Sequence, residues 1–320
     1  MRRDVLVGLG SFLIVMALAL PSYVLGQVIK FPLSRSETIT LTGTGMSYFS
    51  AARDAEVTGA DIRATDTVTG DPTAGSSSVA VWSELSYVYD TTNDELVQVA
   101  TRTFGFDRRT AQLVRCRCAN VDGNSDVAQD GLAGPVFPIG ARATTYDVFD
   151  TALDRPEAFG YGGTADVDGI QAYRFVENVP PTRLGYSPLS STQPEYATIR
   201  RVYLVDPATG LLLDVNSYQR SYLEDPATGA QTTVLYRGDL QATPASVRAL
   251  ARLDAAERDK ISLLRTVLPI ALGVAGTAAL VAGIVLARRP RRDRAAAPGA
   301  SAEPLAASTG RGTGTTARSG

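Results

Sequence analysis

The chain has 320 residues, a formal net charge of −2 and no histidine. The absence of histidine excludes Ser-His-Asp and Cys-His catalysis and every metal site that needs imidazole. Residues 28–265 carry 22 Lys and Arg against 30 Asp and Glu, and this acidic balance argues against nucleic-acid binding by the middle of the chain.

The first predicted element is an apolar stretch over residues 5–25. It meets the length of about 20 residues that a helix needs to cross hydrocarbon, so we predict a first transmembrane helix. Ala17 and Ala19 also form a small-x-small pattern, so a cleaved signal peptide is the alternative. The run is longer than the usual signal core of about 7–15 residues, which favours the transmembrane helix.

Residues 28–243 predict a mainly β, extracytoplasmic domain. Its apolar residues alternate with polar ones, and Thr, Val and Tyr are frequent between Gly and Pro, which is typical of strands. The predicted strands are residues 36–41, 78–89, 95–106, 112–117, 170–177, 199–205, 211–222 and 232–240. Together they indicate an antiparallel meander within an α+β fold.

The sequence Asp-Pro-Ala-Thr-Gly occurs twice, at residues 206–210 and 225–229. Asp accepts a backbone hydrogen bond, Pro presets φ at the first corner, and Gly supplies a left-handed conformation. We therefore predict two hairpin tips whose Asp residues serve the turn alone. Weaker copies pair Asp90 with Asn93 and Asp107 with Thr110.

Two further carboxylate pairs, Asp147 with Asp150 and Asp166 with Asp168, have the residue types of a general acid and base. Acidic residues in the loops of an acidic domain are expected to be solvated, and no phosphate-binding or dinucleotide motif accompanies them. The sequence predicts no catalytic and no cofactor-binding residue, and hence a protein that is not an enzyme.

Cys116 and Cys118 are the only cysteines. An exported domain favours their oxidation, so we predict a local disulfide. The alternative is two free thiols on one face of a strand, because two Cys without His rarely complete a zinc site.

The loop that follows these cysteines has oxygen-bearing side chains at alternate positions, namely Asp122, Asn124, Asp126 and Asp130. This spacing resembles the start of a calcium-binding loop, in which such side chains converge on one hard cation. The match to an EF-hand is incomplete, since Val127 stands where Gly is needed and Ala133 where a bidentate Glu is needed. A bound Ca²⁺ is the one cofactor that the sequence predicts.

Thr243-Pro244 predicts the start of a helix, since Thr caps and Pro fits the first turn. Residues 244–265 are interpreted as a helical stalk and residues 266–287 as a second transmembrane helix. Arg residues lie before the first span and directly after the second, which predicts that residues 1–4 and 288–320 are cytoplasmic. The Ala- and Gly-rich tail, 288–320, is expected to be disordered.

Four ordered segments of the middle resemble the porin PorA family, a group of actinobacterial envelope proteins. They are residues 137–140 (FPIG), 145–150 (TYDVFD), 167–175 (VDGIQAYRF) and 203–210 (YLVDPATG). The likeness extends to the anchor at each end, and the family name implies a pore. The strands are polar for a lipid-facing barrel, and neither apolar helix carries an ionisable residue to line a channel.

Two functions follow as hypotheses. The first is an anchored envelope module that binds a lipid or glycan in a groove between sheet and helix. The second is a pore-forming channel. A channel built from the two apolar helices would require a homo-oligomer. The bilayer is a predicted partner in both, and nucleic acid in neither. The aromatic residues considered for the groove are Trp82, Tyr87, Tyr89, Tyr173, Tyr203, Tyr218 and Tyr236.

Overall fold

The computed structural model describes residues 2–288, in which a β domain is preceded and followed by helices. The helices are α1 (Arg2–Ala19), α2 (Leu25–Val28), α3 (Pro244–Ser262) and α4 (Leu268–Arg288), with π-helical turns at Leu20–Val24 and Leu263–Val267. The strands are β1 (Ser36–Ser50), β2 (Ala55–Gly70), β3 (Val79–Asp90), β4 (Glu95–Asp107), β5 (Leu113–Val114), β6 (Asn120–Val121), β7 (Tyr146–Asp150), β8 (Arg155–Val167), β9 (Ile170–Tyr186), β10 (Pro194–Val205), β11 (Leu212–Glu224) and β12 (Gln231–Ala242).

All strands belong to one sheet, in the order β5-β4-β3-β2-β1-β12-β11-β10-β9-β8-β7, with β6 also paired to β4. Each named pairing is antiparallel. The prediction of an antiparallel meander is therefore confirmed, as two meanders joined where β1 pairs with β12. The sheet curls into a half-barrel.

A short segment at Leu132 joins the two edges of this sheet. Leu113 N–H donates to the Gly131 carbonyl on one side, and Leu132 N–H donates to the Asp147 carbonyl on the other, each over 2.8 Å. Phe149 N–H returns a bond to the Leu132 carbonyl. Backbone groups at both edges are satisfied here, so the half-barrel is closed at this end.

Four strands were missed by the sequence prediction, namely β2, β6, β7 and β8. The inward positions of β2 include Ala60 and Ala64, and these small side chains make the apolar alternation of the strand weak. The predicted strand at residues 112–117 is shortened to the two residues of β5, since the chain turns away towards Cys116.

The largest hydrophobic core fills one end of the half-barrel. It contains the fully buried rings of Trp82, Phe104, Phe106, Phe137 and Phe175. Phe137 stacks on Phe175 with ring centroids 4.8 Å apart, and Trp82 meets Phe106 edge-on at 4.7 Å. This end of the barrel is solid.

Helix α3 begins at Thr243, whose Oγ accepts a hydrogen bond from Ser246 N–H, with Pro244 in the first turn. The helix is not a free stalk, because Leu250 and Ala251 are buried and Ser246 Oγ donates to the Thr40 carbonyl of β1. It lies against β1 and β11. Burial of its apolar stripe thus fixes α3 to the sheet instead of spacing the sheet from α4.

Among residues 2–288, one continuous helix, Pro244–Arg288, is long and apolar enough to cross a membrane. The apolar helix at the other terminus, Asp4–Ala19, is shorter, because Pro21 interrupts regular α-helical bonding and a π-helical turn follows. The two helices pack closely: a Cβ on Gly10 would lie 2.7 Å from the Gly276 carbonyl oxygen. The predicted disordered tail from residue 289 onwards lies outside the described residues.

Candidate functional site

The half-barrel contains a cavity of about 280 Å³ beside the aromatic core, whose members Val68 and Phe149 contribute to the lining. Every second side chain of a strand points into the half-barrel. On β4 the inward side chains are, in order, Phe106 and Phe104 in the core, then Arg102, then Ala100 and Gln98 at the cavity. Charged residues occupy the level between core and cavity on several strands. We call this level the charged floor, and its members are Asp66, Glu84, Arg102, Asp150, Glu177 and Arg201.

Arg102 is the best-buried cation of the floor, with 4 % of its surface exposed. Its Nη1 donates to the Ala133 carbonyl over 2.7 Å, its Nε donates to Gln129 Oε1 over 2.8 Å, and its guanidinium lies 4.3 Å from the centroid of Phe104. Glu84, directly opposite on β3, is 3.7 Å away. Arg102 therefore ties the closing segment to the sheet, while burial lowers its pKa to about 10.

A second cation, Arg201, links two carboxylates at the floor. Its Nη1 pairs with Asp150 Oδ2 and, over 2.8 Å, with Glu177 Oε2. Burial opposes ionisation of Asp150, but Arg201 and the local hydrogen bonds outweigh it and hold the pKa of Asp150 below its ordinary range. Burial raises the pKa of Glu177 to about 8, with the negative charge of Asp150 adding to the shift.

These directions explain why Glu177 Oε1 is buried without a hydrogen-bond donor. Protonation of Glu177 removes the negative charge from this unpartnered carboxyl group, while Asp150 stays ionised beside Arg201. Desolvation also raises the pKa values of Asp66 and Glu84, and the two carboxyls repel each other. The floor thus holds charge of both signs together with Glu177, whose raised pKa favours the protonated form near neutral pH.

One donor of the floor has no partner. Arg102 Nη2 is buried without a hydrogen-bond acceptor in the described part of the chain, and Arg102 lines the cavity. An unpaired buried guanidinium N–H costs free energy, so it is a group that a bound ligand would satisfy. Hydroxyl and amide side chains also line the cavity, namely Ser86, Gln98, Thr101, Ser217 and Gln219.

Comparison with protein families matches residues 4–285 of the sequence to the family described as Porin PorA. The chain belongs to the porin PorA family. A search of the curated proteins found no significant match. The family resemblance drawn from the four segments is confirmed, and the β half-barrel with its apolar helix makes this PorA protein a membrane-associated β protein.

The four predicted calcium ligands of the PorA chain do not converge. Asp122 Oδ1 accepts the Thr101 N–H over 2.6 Å, and Asn124 Oδ1 accepts the Asp126 N–H over 2.9 Å. Within residues 2–288, no group of three or more Asp, Glu, His or Cys side chains is close enough to hold a metal ion. Asn124 therefore stabilises its own turn, as short polar side chains commonly do, whereas Asp122 fastens the loop to β4.

Cys116 and Cys118 are joined by a disulfide in this PorA protein, with their Cα atoms 5.2 Å apart. The bond lies beside Gly105 of β4, where a Cβ would contact the Cys116 sulfur at 3.2 Å. The pair closes the loop that leads from β5 to β6.

The expectation that Asp150 is a solvated loop residue is wrong, since its side chain is fully buried at the charged floor. Asp206 is also more than a turn residue: it accepts the Ala208 N–H as predicted, and it is buried against α3. Asp166 and Asp168 do lie in an exposed turn, where Asp166 accepts the Gly169 N–H.

Of the aromatic residues considered for a groove, Tyr203 and Tyr236 line the cavity of the PorA half-barrel. Trp82 is in the aromatic core and Tyr87 is exposed. Sequence reasoning missed the charged floor, although one signal was present. Glu84 shares the inward parity of Trp82 on a predicted strand, and Arg102 shares that of Phe104 and Phe106, so charges stood where apolar residues were expected.

Proposed function

We propose that this PorA protein is a membrane-anchored module whose β domain binds a hydroxyl-rich ligand, one sugar unit of an envelope glycan, in the half-barrel cavity. The observation that carries the proposal is the buried, unpartnered Nη2 of Arg102, a residue that lines a cavity of about 280 Å³. That volume is near the lower end of the range of about 300–1,000 Å³ for ligand pockets.

The chemistry of the lining favours a neutral polyol over a simple ion. Arg102 offers a donor, while Asp66 and Glu84 offer acceptors at the same level. A sugar hydroxyl donates and accepts, so it satisfies groups of both signs without bringing net charge into a desolvated site. Phe149, Tyr203 and Tyr236 supply apolar faces for the ring.

The binding test uses the full-length protein in lipid nanodiscs on an array of cell-envelope glycans. Asp66→Asn removes one acceptor at the cavity, and Asp61→Asn changes an exposed carboxylate on the same strand. We expect Asp66→Asn to weaken binding of any captured glycan at least tenfold and Asp61→Asn to leave it unchanged. Equal binding by both variants, or no glycan captured by the unmodified protein, would contradict the proposal.

The alternative, a pore through the β domain, is less well supported. Trp82, Phe104, Phe106, Phe137 and Phe175 fill one end of the half-barrel, and the outward positions of β1 and β2 carry Thr and charged residues where lipid would require apolar ones. Stepwise currents from the purified protein in planar bilayers, blocked by closing the cavity with Ala100→Trp, would favour the pore and oppose the binding module.

We further propose that both terminal helices cross the same membrane, with both termini in the cytoplasm and the β domain outside. The close packing of α1 on α4 at Gly10 and Gly276 supports this arrangement, as do the Arg residues flanking both apolar runs. Green fluorescent protein fused to either terminus should fluoresce, because it folds in the cytoplasm. A dark N-terminal fusion, or cleavage before residue 28, would refute the double span.

A further inference from the structure

A second pocket, of about 260 Å³, lies where the β domain meets the membrane helices. We call it the interfacial pocket. It is bounded by the chain that leaves α2, by the end of α3 with its π-helical turn, and by two loops of the β domain. Its principal apolar side chains are Val28, Ile29, Ile139, Ile261, Leu263 and Leu264.

The interfacial pocket differs from the half-barrel cavity in chemistry. Its lining is mostly aliphatic, and its base is the buried Phe31 and Leu211. Val28 and Leu263 at its edge are 56 % and 52 % exposed. An aliphatic pocket with exposed aliphatic edges binds hydrocarbon and gains no hydrogen bonds from a sugar.

The position of the pocket identifies the source of that hydrocarbon. Leu263 and Leu264 belong to the π-helical turn that leads directly into α4, the most apolar segment of the helix that is long enough to span a membrane. The other π-helical turn, Leu20–Val24, contacts this one. The apolar surface of the pocket is therefore continuous with the lipid-facing surface of the helices.

The charged side chains that line the same pocket are Lys30, Arg35, Glu257 and Lys260. Lys30 and Lys260 are on its rim, and the Arg109 guanidinium lies 3.4 Å from where a Cβ of the nearby Gly26 would be. Lys30 Nζ donates to the Ser77 carbonyl and Lys260 Nζ pairs with the Glu257 carboxylate. Each ammonium has three donors, so both retain capacity for an anion. This rim complements the phosphate of a lipid whose chain enters the pocket.

We propose that the interfacial pocket holds one acyl chain of an anionic phospholipid from the surrounding membrane, with the lipid phosphate between Lys30 and Lys260. The lipid is then a structural ligand that fixes the β domain against the bilayer. This site is separate from the half-barrel cavity and does not depend on its ligand.

The test is native mass spectrometry of the full-length protein released from detergent micelles, after incubation with equal amounts of dioleoyl phosphatidylglycerol and dioleoyl phosphatidylcholine. We expect one phosphatidylglycerol to be retained, with at least a fivefold preference over phosphatidylcholine. Ile261→Trp fills the pocket and should reduce retention at least tenfold. Leu253→Trp introduces the same ring at a half-exposed position of α3 outside the pocket and should retain the lipid.

Leu264→Trp provides a second filling variant in case Ile261→Trp misfolds, and a thermal melt of each variant identifies misfolding. Lys30→Gln combined with Lys260→Gln should abolish the preference for phosphatidylglycerol while leaving one lipid bound. Retention by both filling variants at the level of the unmodified protein would overturn the pocket assignment. Phosphatidylcholine also carries a phosphate but has no net charge, so equal retention of the two lipids by the unmodified protein would overturn the assignment of an anionic phospholipid. Asp66→Asn should not alter retention, so this test is independent of the glycan test.

Discussion

Asp206 and Arg258 form a two-point ion pair that fastens the β10–β11 hairpin tip to α3. Arg258 Nε donates to Asp206 Oδ2 over 2.8 Å, and Nη2 donates to Oδ1 over 2.9 Å. Burial opposes ionisation of Asp206, but these bonds hold its pKa below the ordinary range. The second Asp-Pro-Ala-Thr-Gly tip, at Asp225, makes only its own turn bonds, so identical turn sequences serve two different purposes.

Arg258→Ala should lower the free energy of unfolding by about 1–3 kcal/mol, since it leaves the buried Asp206 carboxylate with turn bonds alone and Arg258 itself is partly solvated. The depressed pKa of Asp206 stabilises the fold above its ordinary value of 3.8, so the loss should shrink as the pH falls below about 4. Chemical denaturation at pH 7 and pH 3.5 measures this loss of unfolding free energy.

The exposed pair Arg155–Glu157 provides a control. Arg155→Ala should lower the free energy of unfolding by less than about 0.5 kcal/mol. Equal losses for both variants would show that the Arg258 contact is not stabilising.

Asp254→Asn should stabilise the junction between α3 and the hairpin tip at alkaline pH. Burial raises the pKa of Asp254 from 3.8 to about 7, and the facing Asp206 charge adds to the shift while Arg258 partly offsets it. A raised pKa means that Asp254 favours the fold most below pH 4 and loses that contribution as the pH rises through 7.

Asn resembles the protonated acid and keeps the bond from Thr209 Oγ. The melting temperature of the variant should therefore equal that of the wild type at pH 4 and exceed it by several degrees at pH 8.5, as measured by differential scanning calorimetry. A melting temperature below that of wild type at pH 8.5 would show that Asp254 is ionised and needed as a charge.

Gly210→Ala and Gly229→Ala place one substitution at equivalent positions of the two tips. Both glycines have positive φ, +76° and +68°, so Ala costs about 1–2 kcal/mol at each. At Gly210 the Cβ would also overlap the carbonyl oxygen of Phe137, whereas at Gly229 no atom lies within 4 Å. We expect a loss of about 2–5 kcal/mol at Gly210. Comparable losses in urea unfolding would mean that the Gly210 tip is not held against residue 137.

Asp150→Asn and Glu177→Gln should have opposite effects, although both carboxylates contact Arg201. Asp150→Asn removes the charge that compensates the buried Arg201 and should lower the free energy of unfolding by about 3–5 kcal/mol at pH 7. This loss should become smaller as the pH drops below 3.8, because the depressed pKa of Asp150 stabilises the fold only above that value.

Glu177→Gln mimics the protonated side chain, so it should match the wild type near pH 4 and become the more stable protein as the pH rises from 4.5 to about 8. Guanidinium unfolding across pH 3–9 distinguishes the two variants. Destabilisation by Glu177→Gln at pH 9 would assign the negative charge to Glu177 and the proton to Asp150.

The strands β3, β4, β10 and β11 were predictable, because each is a long alternating run bounded by turn residues. The tips at Asp206 and Asp225 were predictable too, since an Asp side chain and a Gly within five residues form the turn by themselves. The partner of Asp206 was not, because Arg258 is 52 residues away and no local signal pairs the two. The burial of Asp150 was not predictable for the same reason, because its partner Arg201 is 51 residues away in the sequence.

The sequence by itself determined the apolar ends, the alternating strands and the Asp-Pro-Ala-Thr-Gly turns, because hydrophobic length, strand periodicity and turn chemistry depend on residues that are close in the chain. Only the tertiary structure decided that Leu132 closes the sheet and that Glu84 pairs with Arg102 on the neighbouring strand, beside the cavity. Those contacts depend on strand register and on which edges meet, and a shift of one residue would turn each charge to the opposite face.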